Sequence, residues 1–392
     1  MESFYQTHRY LVEHVESPVR RQLMDEIDWT HRLIGIKGSR GVGKTTFLLQ
    51  YAKDNFGVDR KCLYINFNNF YFAQHTLVEF AGDFYRRGGR TLLIDQTFKY
   101  ENWSKELRQC YDQFPELHIV FSGSTVMRLI EDNTDIRDIV ASYNLRGFSF
   151  REYLNLKCGT NFLSYTLDEI ISDHSRIAAD ICSKVWPLDH FDAYLHHGFY
   201  PFFLEQRNFS ENLLKTMNMM LEVDILLIKQ IELKYLAKIR RLLAILMNTA
   251  PTVPNVSQLS QDIETSRATI MNYIKYLKDA RLLNLLYKEG EEFPKKPSLV
   301  YVQNTNLLHA VNPGNVDKTT ECKTFLYNAL HAKHKVNLGK HNADFCTDYQ
   351  HCFKYETKDA HAKRSTKVFY AIDNLETGSK NEIPLWLFGF LY

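Results

Sequence analysis

The chain has 392 residues, too many for one compact core, so two or three domains are expected. A hydrophobic fraction of 45% is that of a globular protein, and a formal charge of +2 excludes bulk attraction to nucleic acid or to an anionic membrane, leaving only local basic surface. Seven cysteines, Cys62, Cys110, Cys158, Cys182, Cys322, Cys346 and Cys352, are odd in number and scattered, which argues against a disulfide framework and for a reducing, cytoplasmic setting.

The opening M-E-S-F-Y-Q-T-H-R-Y lacks the basic-then-apolar layout of a secretory leader, and no apolar run approaches the length of a membrane span. No membrane partner is expected. Arg32 to Lys37 (R-L-I-G-I-K) reads as a short strand, and it runs directly into G-S-R-G-V-G-K-T at Gly38 to Thr45. This is the phosphate-binding pattern G-x-x-x-x-G-K-[ST], followed at once by the helical spacing of Thr45 to Lys53.

The chemistry of that octapeptide follows from geometry. Gly38, Gly41 and Gly43 can take backbone angles closed to other residues, so the N–H groups of the loop, through Ser39, Arg40 and Val42, are expected to turn inward around a phosphate at the positive end of a helix. Lys44 supplies a mobile charge for the β- and γ-phosphates. Thr45 places a hydroxyl on Mg²⁺, and Thr46 is its neighbour. The ligand class is a nucleoside triphosphate with Mg²⁺, and the absence of a guanine-reading N-K-x-D favours ATP.

Cys62 to Phe67, Thr91 to Asp95 and Leu117 to Ser122 are further apolar runs of strand length, separated by stretches of helical spacing. Alternating strands and helices predict a parallel sheet covered on both faces, with ligands at the carboxyl ends of its strands. That rule gathers Asn68, Asp95, Gln96 and Ser122 near the phosphates. Asp95 stands where the Walker B aspartate belongs, holding a magnesium-bound water. Ser122 and Ser124 are candidates to sense the γ-phosphate or, equally, members of a polar turn.

From about Phe148 to Ala237 the pattern is helical and aromatic, and it reads as a lid over the nucleotide. Arg128, Arg137, Arg146 and Arg151 are candidates to reach a γ-phosphate in the same or a neighbouring subunit, against the ordinary reading of surface or structural arginines. Lys238 to Tyr287 carries three helical stretches with the spacing of a winged helix-turn-helix. Ile270, Ile274 and Leu277 form its buried stripe, leaving Arg267, Thr269, Asn272 and Lys278 outward as DNA readers or as a protein-contact face.

In the last segment Asp344, followed about a dozen residues later by Glu356 and Lys358, has the layout of a restriction-type nuclease, in which the acids hold Mg²⁺. The competing reading is a solvated charged strand. His341, Cys346, His351 and Cys352 lack the paired spacing of a zinc site. The apolar stretch Pro384 to Tyr392 reads as packed core.

Taken together, R-L-I-G-I-K-G-S-R-G-V-G-K-T-T-F-L-L-Q-Y-A-K, Y-N-L-R-G-F-S-F-R-E-Y-L, Y-P-F-F-L-E, N-T-N-L-L and I-P-L-W-L-F-G-F-L-Y resemble the bacterial AAA-type ATP-binding proteins that carry a helical lid, a winged helix and a carboxy-terminal nuclease-like domain of unknown function. The resemblance implies an α/β P-loop NTPase core with an additional central strand at 1–150, a lid at 151–237, a winged helix at 238–296 and a small α/β nuclease-like domain at 297–392. It departs at three places. Where the family carries a glutamate after the Walker B aspartate, this chain has I-D-Q-T-F-K-Y, with Gln96 and Phe98; where relatives show N-L-D-D, it has N-F-N-N, with Asn68 and Asn69. Relatives also show an acid before G-G-K where Lys354 and E-T-K stand here.

An amide orients water but cannot act as its general base. Three readings follow: an ATP-dependent switch with weak or absent hydrolysis; a working ATPase that uses another acid such as Glu101 or a neighbouring subunit, implying a homo-oligomer; and a DNA-binding or nuclease-like effector gated by ATP.

Overall fold

The computed structural model describes residues 1–127, 129–131, 133–205, 208–359 and 365–392. The chain divides into two compact units, Met1–Arg146 and Gly147–Tyr392.

The first unit is built on five parallel strands in the order β2-β3-β4-β1-β5, with β1 Leu33–Gly38, β2 Cys62–Asn66, β3 Thr91–Asp95, β4 His118–Ser124 and β5 Ala141–Asn144. Its central strands are buried runs of Leu, Ile, Val and Phe, as a parallel sheet covered on both faces demands. Strand β4 lies between β1 and β3, the extra-strand arrangement that the resemblance implies. Helices α1 Glu2–His14, α2 Leu23–Glu26, α3 Lys44–Asn55, α4 Leu77–Arg86 and α5 Trp103–Gln113 complete the unit. The sequence reading contains neither α1 nor β5. The former shields edge strand β2, where the ring nitrogen Nδ1 of buried His8 accepts the Tyr64 backbone N–H at 3.0 Å.

The second unit begins with α6 Phe150–Cys158, α7 Leu167–Cys182 and α8 Pro187–His197. The first two start with reciprocal capping boxes, Ser149 with Glu152 and Thr166 with Glu169. After α9 Phe209–Met219, three helices, α10 Leu236–Thr249, α11 Val256–Asp262 and α12 Arg267–Asp279, precede an antiparallel pair, β6 Leu283–Leu286 and β7 Leu299–Val302. Ile270, Ile274 and Leu277 are buried as expected, and Tyr273 joins them. Arg267, Asn272 and Lys278 are exposed, whereas Thr269 is half-buried at the helix start, its N–H held by the Ser266 hydroxyl.

Helices α13 Thr305–Val311 and α14 Lys318–Leu330 lead into a second sheet ordered β12-β11-β10-β9-β8, with β8 Val336–Leu338, β9 Phe345–Thr347, β10 His351–Thr357, β11 Phe369–Asp373 and β12 Glu382–Pro384. One hydrophobic cluster runs from Phe150 and Phe191 through Phe325, Phe345 and Phe353 to Trp386, Phe388 and Phe390, so the helices after Gly147 and the last sheet share a single core. The stretch Pro384 to Tyr392 is packed in it, as expected, with Leu385–Phe390 forming a buried 3₁₀ turn.

A buried amide network ties the middle of the unit together. Asn306 Nδ2 donates to the carbonyls of Tyr194 (3.3 Å) and Leu195 (2.9 Å), while its Oδ1 accepts from the N–H of Phe199 (2.9 Å) and Tyr200 (3.4 Å). Gln303 Nε2 donates to Asn328 Oδ1 at 2.9 Å, and Asn304 Oδ1 caps α13 through the Leu307 N–H. The motif N-T-N-L-L is therefore a clamp that satisfies the end of α8. Asn306→Ala orphans buried backbone groups that cost about 1–3 kcal/mol each, so urea unfolding is expected to show a loss on the order of 3 kcal/mol.

Candidate functional site

The site grows from the carboxyl ends of β1, β2, β3 and β4, on the first unit alone. Gly41 (φ 84°) and Gly43 (φ 93°) take left-handed angles, which bend the loop and deliver α3 with no side-chain cap on its first N–H groups. Lys44 Nζ donates to the carbonyls of Gly38 (2.8 Å) and Ser39 (2.9 Å), the position from which it would meet phosphate oxygens. A Cβ on Gly38 would approach Leu145 O at 2.7 Å, so close packing of loop on sheet requires glycine there. These residues fit a triphosphate: Lys44 and the loop N–H groups would hold the phosphates, and Thr45 with Asp95 would hold Mg²⁺.

Asp95 is 1% exposed and is the most heavily hydrogen-bonded carboxylate of the site. Its Oδ2 accepts from Thr45 Oγ1 at 2.6 Å and from the Tyr64 hydroxyl at 2.9 Å. Its Oδ1 accepts from the Ser122 hydroxyl and from the Gln96 N–H at 2.9 Å. Those donors come from α3, β2, β4 and the residue after β3. Burial, then the Asp95 charge, pushes the Tyr64 phenol up, so it stays a protonated donor.

Gln96 sits in the left-handed region, φ 56° and ψ 44°, which turns its N–H back toward Asp95 and, at 3.1 Å, the Ser122 oxygen. Its side-chain Oε1 accepts from Asn68 Nδ2 at 2.9 Å. Asn68 and Gln96 are thus paired with each other. Arg40 of the loop lies over the Phe98 ring at 5.8 Å.

The sequence-derived candidates sort cleanly. Asp95, Gln96, Ser122, Thr45 and Asn68 are brought together. Ser122 is tied into the Asp95 carboxylate, and Ser124 is the polar-turn residue, its Oγ accepting the Val126 N–H at 3.4 Å. Asn69 caps a short turn through the Tyr71 N–H. Thr46 makes no hydrogen bond to Asp95, and Glu101 is exposed with no hydrogen bond to Asp95 or Gln96 among the described residues. Arg128 lies outside the described residues. Arg137 is exposed, and the Arg146 carbonyl accepts from Arg21 Nη2 at 2.6 Å. Arg151 is buried, donating to the carbonyls of Tyr392 (3.2 Å) and Phe162 (3.1 Å), which is the structural role.

Sequence reasoning missed Tyr64 and Arg21. The first hides in an apolar strand. The second is buried 21 positions before the loop residue it holds: Arg21 Nη1 donates to Val42 O at 3.1 Å, fixing that loop carbonyl.

In the carboxy-terminal set each acid is engaged with a lysine. Strand β10 pairs with β9 through His351–Thr347, Cys352–Cys346 and Phe353–Phe345. Asp344 is bonded to Lys323 Nζ at 2.6 Å and to the Tyr355 N–H, while Glu356 pairs with Lys354 at 3.0 Å. Lys358 lies in the turn after β10. Cys346 and Cys352, two of the imagined zinc ligands, are joined as a cross-strand disulfide, and the other cysteines are free. Among the described residues no cluster of three or more His, Cys, Asp or Glu side chains could hold a metal ion, and no helix is long and apolar enough to cross a membrane.

Residues 30–154 match the model of a family described as an AAA domain, and residues 188–314 match that of a domain of unknown function (DUF8612). None of the curated proteins matches the chain. Among solved structures, AMPPCP-bound DnaA from Aquifex aeolicus matches at 13% identity over 66% of this chain and 85% of its own, with a TM-score of 0.27. PCH-2 from C. elegans matches at 13% identity over 71% of this chain and 66% of its own, TM-score 0.26. ORC1 of Aeropyrum pernix, solved in complex with DNA, matches at 11% identity over 79% and 91%, TM-score 0.28. Superpositions this loose carry no argument about function.

Arg21→Met removes two hydrogen bonds from a charged donor to buried carbonyls. At about 1.5–3 kcal/mol each, thermal unfolding of the variant is expected at clearly lower temperature than the natural chain.

Proposed function

The chain is an AAA-type protein through its residues 30–154, and from that premise we propose that it is an ATP-binding switch with weak or absent hydrolysis. ATP is the ligand, Mg²⁺ its companion, and nucleotide occupancy rather than turnover is the signal passed to the lid, winged helix and terminal domain.

The observation that carries this reading is the Asn68–Gln96 amide pair. Gln96 Oε1 accepts from Asn68 Nδ2, which fixes the direction of the side chain, and although that oxygen keeps a second lone pair with which to orient a water, an amide is far too weak a base to deprotonate it. Gln96 cannot take the proton that an attacking water must lose. General-base catalysis contributes about 10²–10⁴-fold, and that factor is what the site lacks. The phosphate-holding parts, Lys44, Thr45, the loop N–H groups and Asp95, do not depend on Gln96, so retention of ATP is independent of turnover.

Two measurements separate binding from hydrolysis. Lys44→Ala is expected to weaken retention of a fluorescent ATP analogue at least tenfold, the equivalent of about 1.4 kcal/mol and less than one charge-assisted hydrogen bond is worth; unchanged affinity refutes the nucleotide assignment. Gln96→Glu is expected to raise steady-state phosphate release on the order of 10²-fold. A natural chain that already turns over as fast as the variant refutes impaired hydrolysis.

A second reading, DNA contact through α12, is favoured by one observation: Arg267, Asn272 and Lys278 lie exposed along the second helix of a helix-turn-helix followed by a hairpin. The hairpin connection carries Glu289, Glu291 and Glu292 beside Lys288, Lys295 and Lys296, so its charge cancels. Duplex binding by this route is expected to weaken steeply between low and moderate salt, because each phosphate contact releases counterions. Binding indifferent to salt, or none, removes the reading.

A further inference from the structure

We propose that Tyr64 sets the Mg²⁺ requirement of the nucleotide site by occupying, on Asp95, the position that a metal-bound water needs. This rests on the nucleotide-binding reading above and adds a residue that no motif names.

A carboxylate offers about four lone-pair positions, two on each oxygen. On Asp95 all are taken: Thr45 and Tyr64 on Oδ2, Ser122 and the Gln96 N–H on Oδ1. Three of these donors are committed. The Gln96 N–H is backbone held by the left-handed turn. Ser122 is 1% exposed and has no other acceptor among the described residues, and its oxygen also receives Gln96 N–H. Thr45 keeps its proton on Asp95 while its lone pairs turn to the cation. Tyr64 is the donor that can let go. Its ring is fixed in β2, but its O–H rotates about the C–O bond, and its oxygen already lies 3.5 Å from Asn66 Nδ2, which supports the hydroxyl as an acceptor once the carboxylate is released.

Tyr64 is therefore a positioning residue that competes with the metal's water shell for one oxygen. Without the metal it satisfies Asp95 and keeps a buried charge solvated by protein. When Mg²⁺ binds, a water takes the lone pair and the phenol turns away. The natural site should accordingly hold ATP in the absence of Mg²⁺ and ask for more Mg²⁺ than a site with an open lone pair.

The test is a Mg²⁺ titration of fluorescent ATP-analogue retention on the full chain, with EDTA as the zero point. Tyr64→Phe is expected to lower the Mg²⁺ midpoint by about three- to tenfold, the worth of one ordinary net hydrogen bond, while affinity in EDTA stays within about twofold. Replacing Tyr64 by 3-fluorotyrosine keeps the shape and strengthens the donor, so the midpoint is expected to rise. Opposite shifts from two near-isosteric changes are not produced by a merely structural role. A midpoint that is unchanged in both, or that rises in Tyr64→Phe, overturns the proposal. Should Tyr64→Phe fail to fold, the fluorotyrosine shift alone decides. A natural chain that retains no analogue at any Mg²⁺ concentration sinks the nucleotide reading and this proposal with it, whereas normal retention with unmoved midpoints sinks this proposal only.

Discussion

Everything at the ligand end of the first unit is arranged around one buried charge, the Asp95 carboxylate. Taking such a group out of water is affordable only when it is fully hydrogen-bonded, and here the sheet order supplies the partners. Because β3 lies between β2 and β4, its last residue is within reach of side chains from both neighbours, Tyr64 and Ser122. The helix after the loop adds Thr45. Remove the charge and donors from several elements are orphaned together, so the geometry of the loop, the strand ends and the turn at Gln96 is one cooperative object.

Beside that charge stand two amides. Asn68 and Gln96 form a neutral, complementary pair, which fixes side-chain direction without adding charge to a place where a triphosphate brings several negative charges of its own. A carboxylate at Gln96 would repel the terminal phosphate and accept a proton; the amide does neither.

The apolar strands β1 to β4 and the glycine loop were legible because their residues announce themselves locally: runs of buried aliphatics, glycines at positive φ, a lysine at fixed spacing. β5 was not, since A-S-Y-N is half-buried throughout and carries no apolar run. Tyr64 reads as one more strand hydrophobic, and only the register of β2 against β3 reveals that its hydroxyl meets Asp95. Arg21 is invisible for a different reason: its partners are carbonyls of Val42 and Arg146, and backbone acceptors leave no mark in a sequence. At the far end, Asp344 and Glu356, whose spacing suggested a nuclease-type pair, are engaged with Lys323 and Lys354, partnerships that spacing does not reveal.

The bond from Arg151 to the carbonyl of Tyr392 joins residues 241 positions apart, and the aromatic cluster that surrounds it draws on both ends of the same stretch. Closing so long a loop is entropically costly before any contact rewards it, and topologies dominated by distant contacts fold slowly. The first unit needs nothing beyond Arg146 for its sheet. During synthesis the nucleotide domain can therefore be complete while Phe150, Tyr153 and Phe191 still wait, apolar and uncovered, for Trp386, Phe388 and Phe390. The interval between those two events is when this chain is most exposed to aggregation, and most in need of a chaperone.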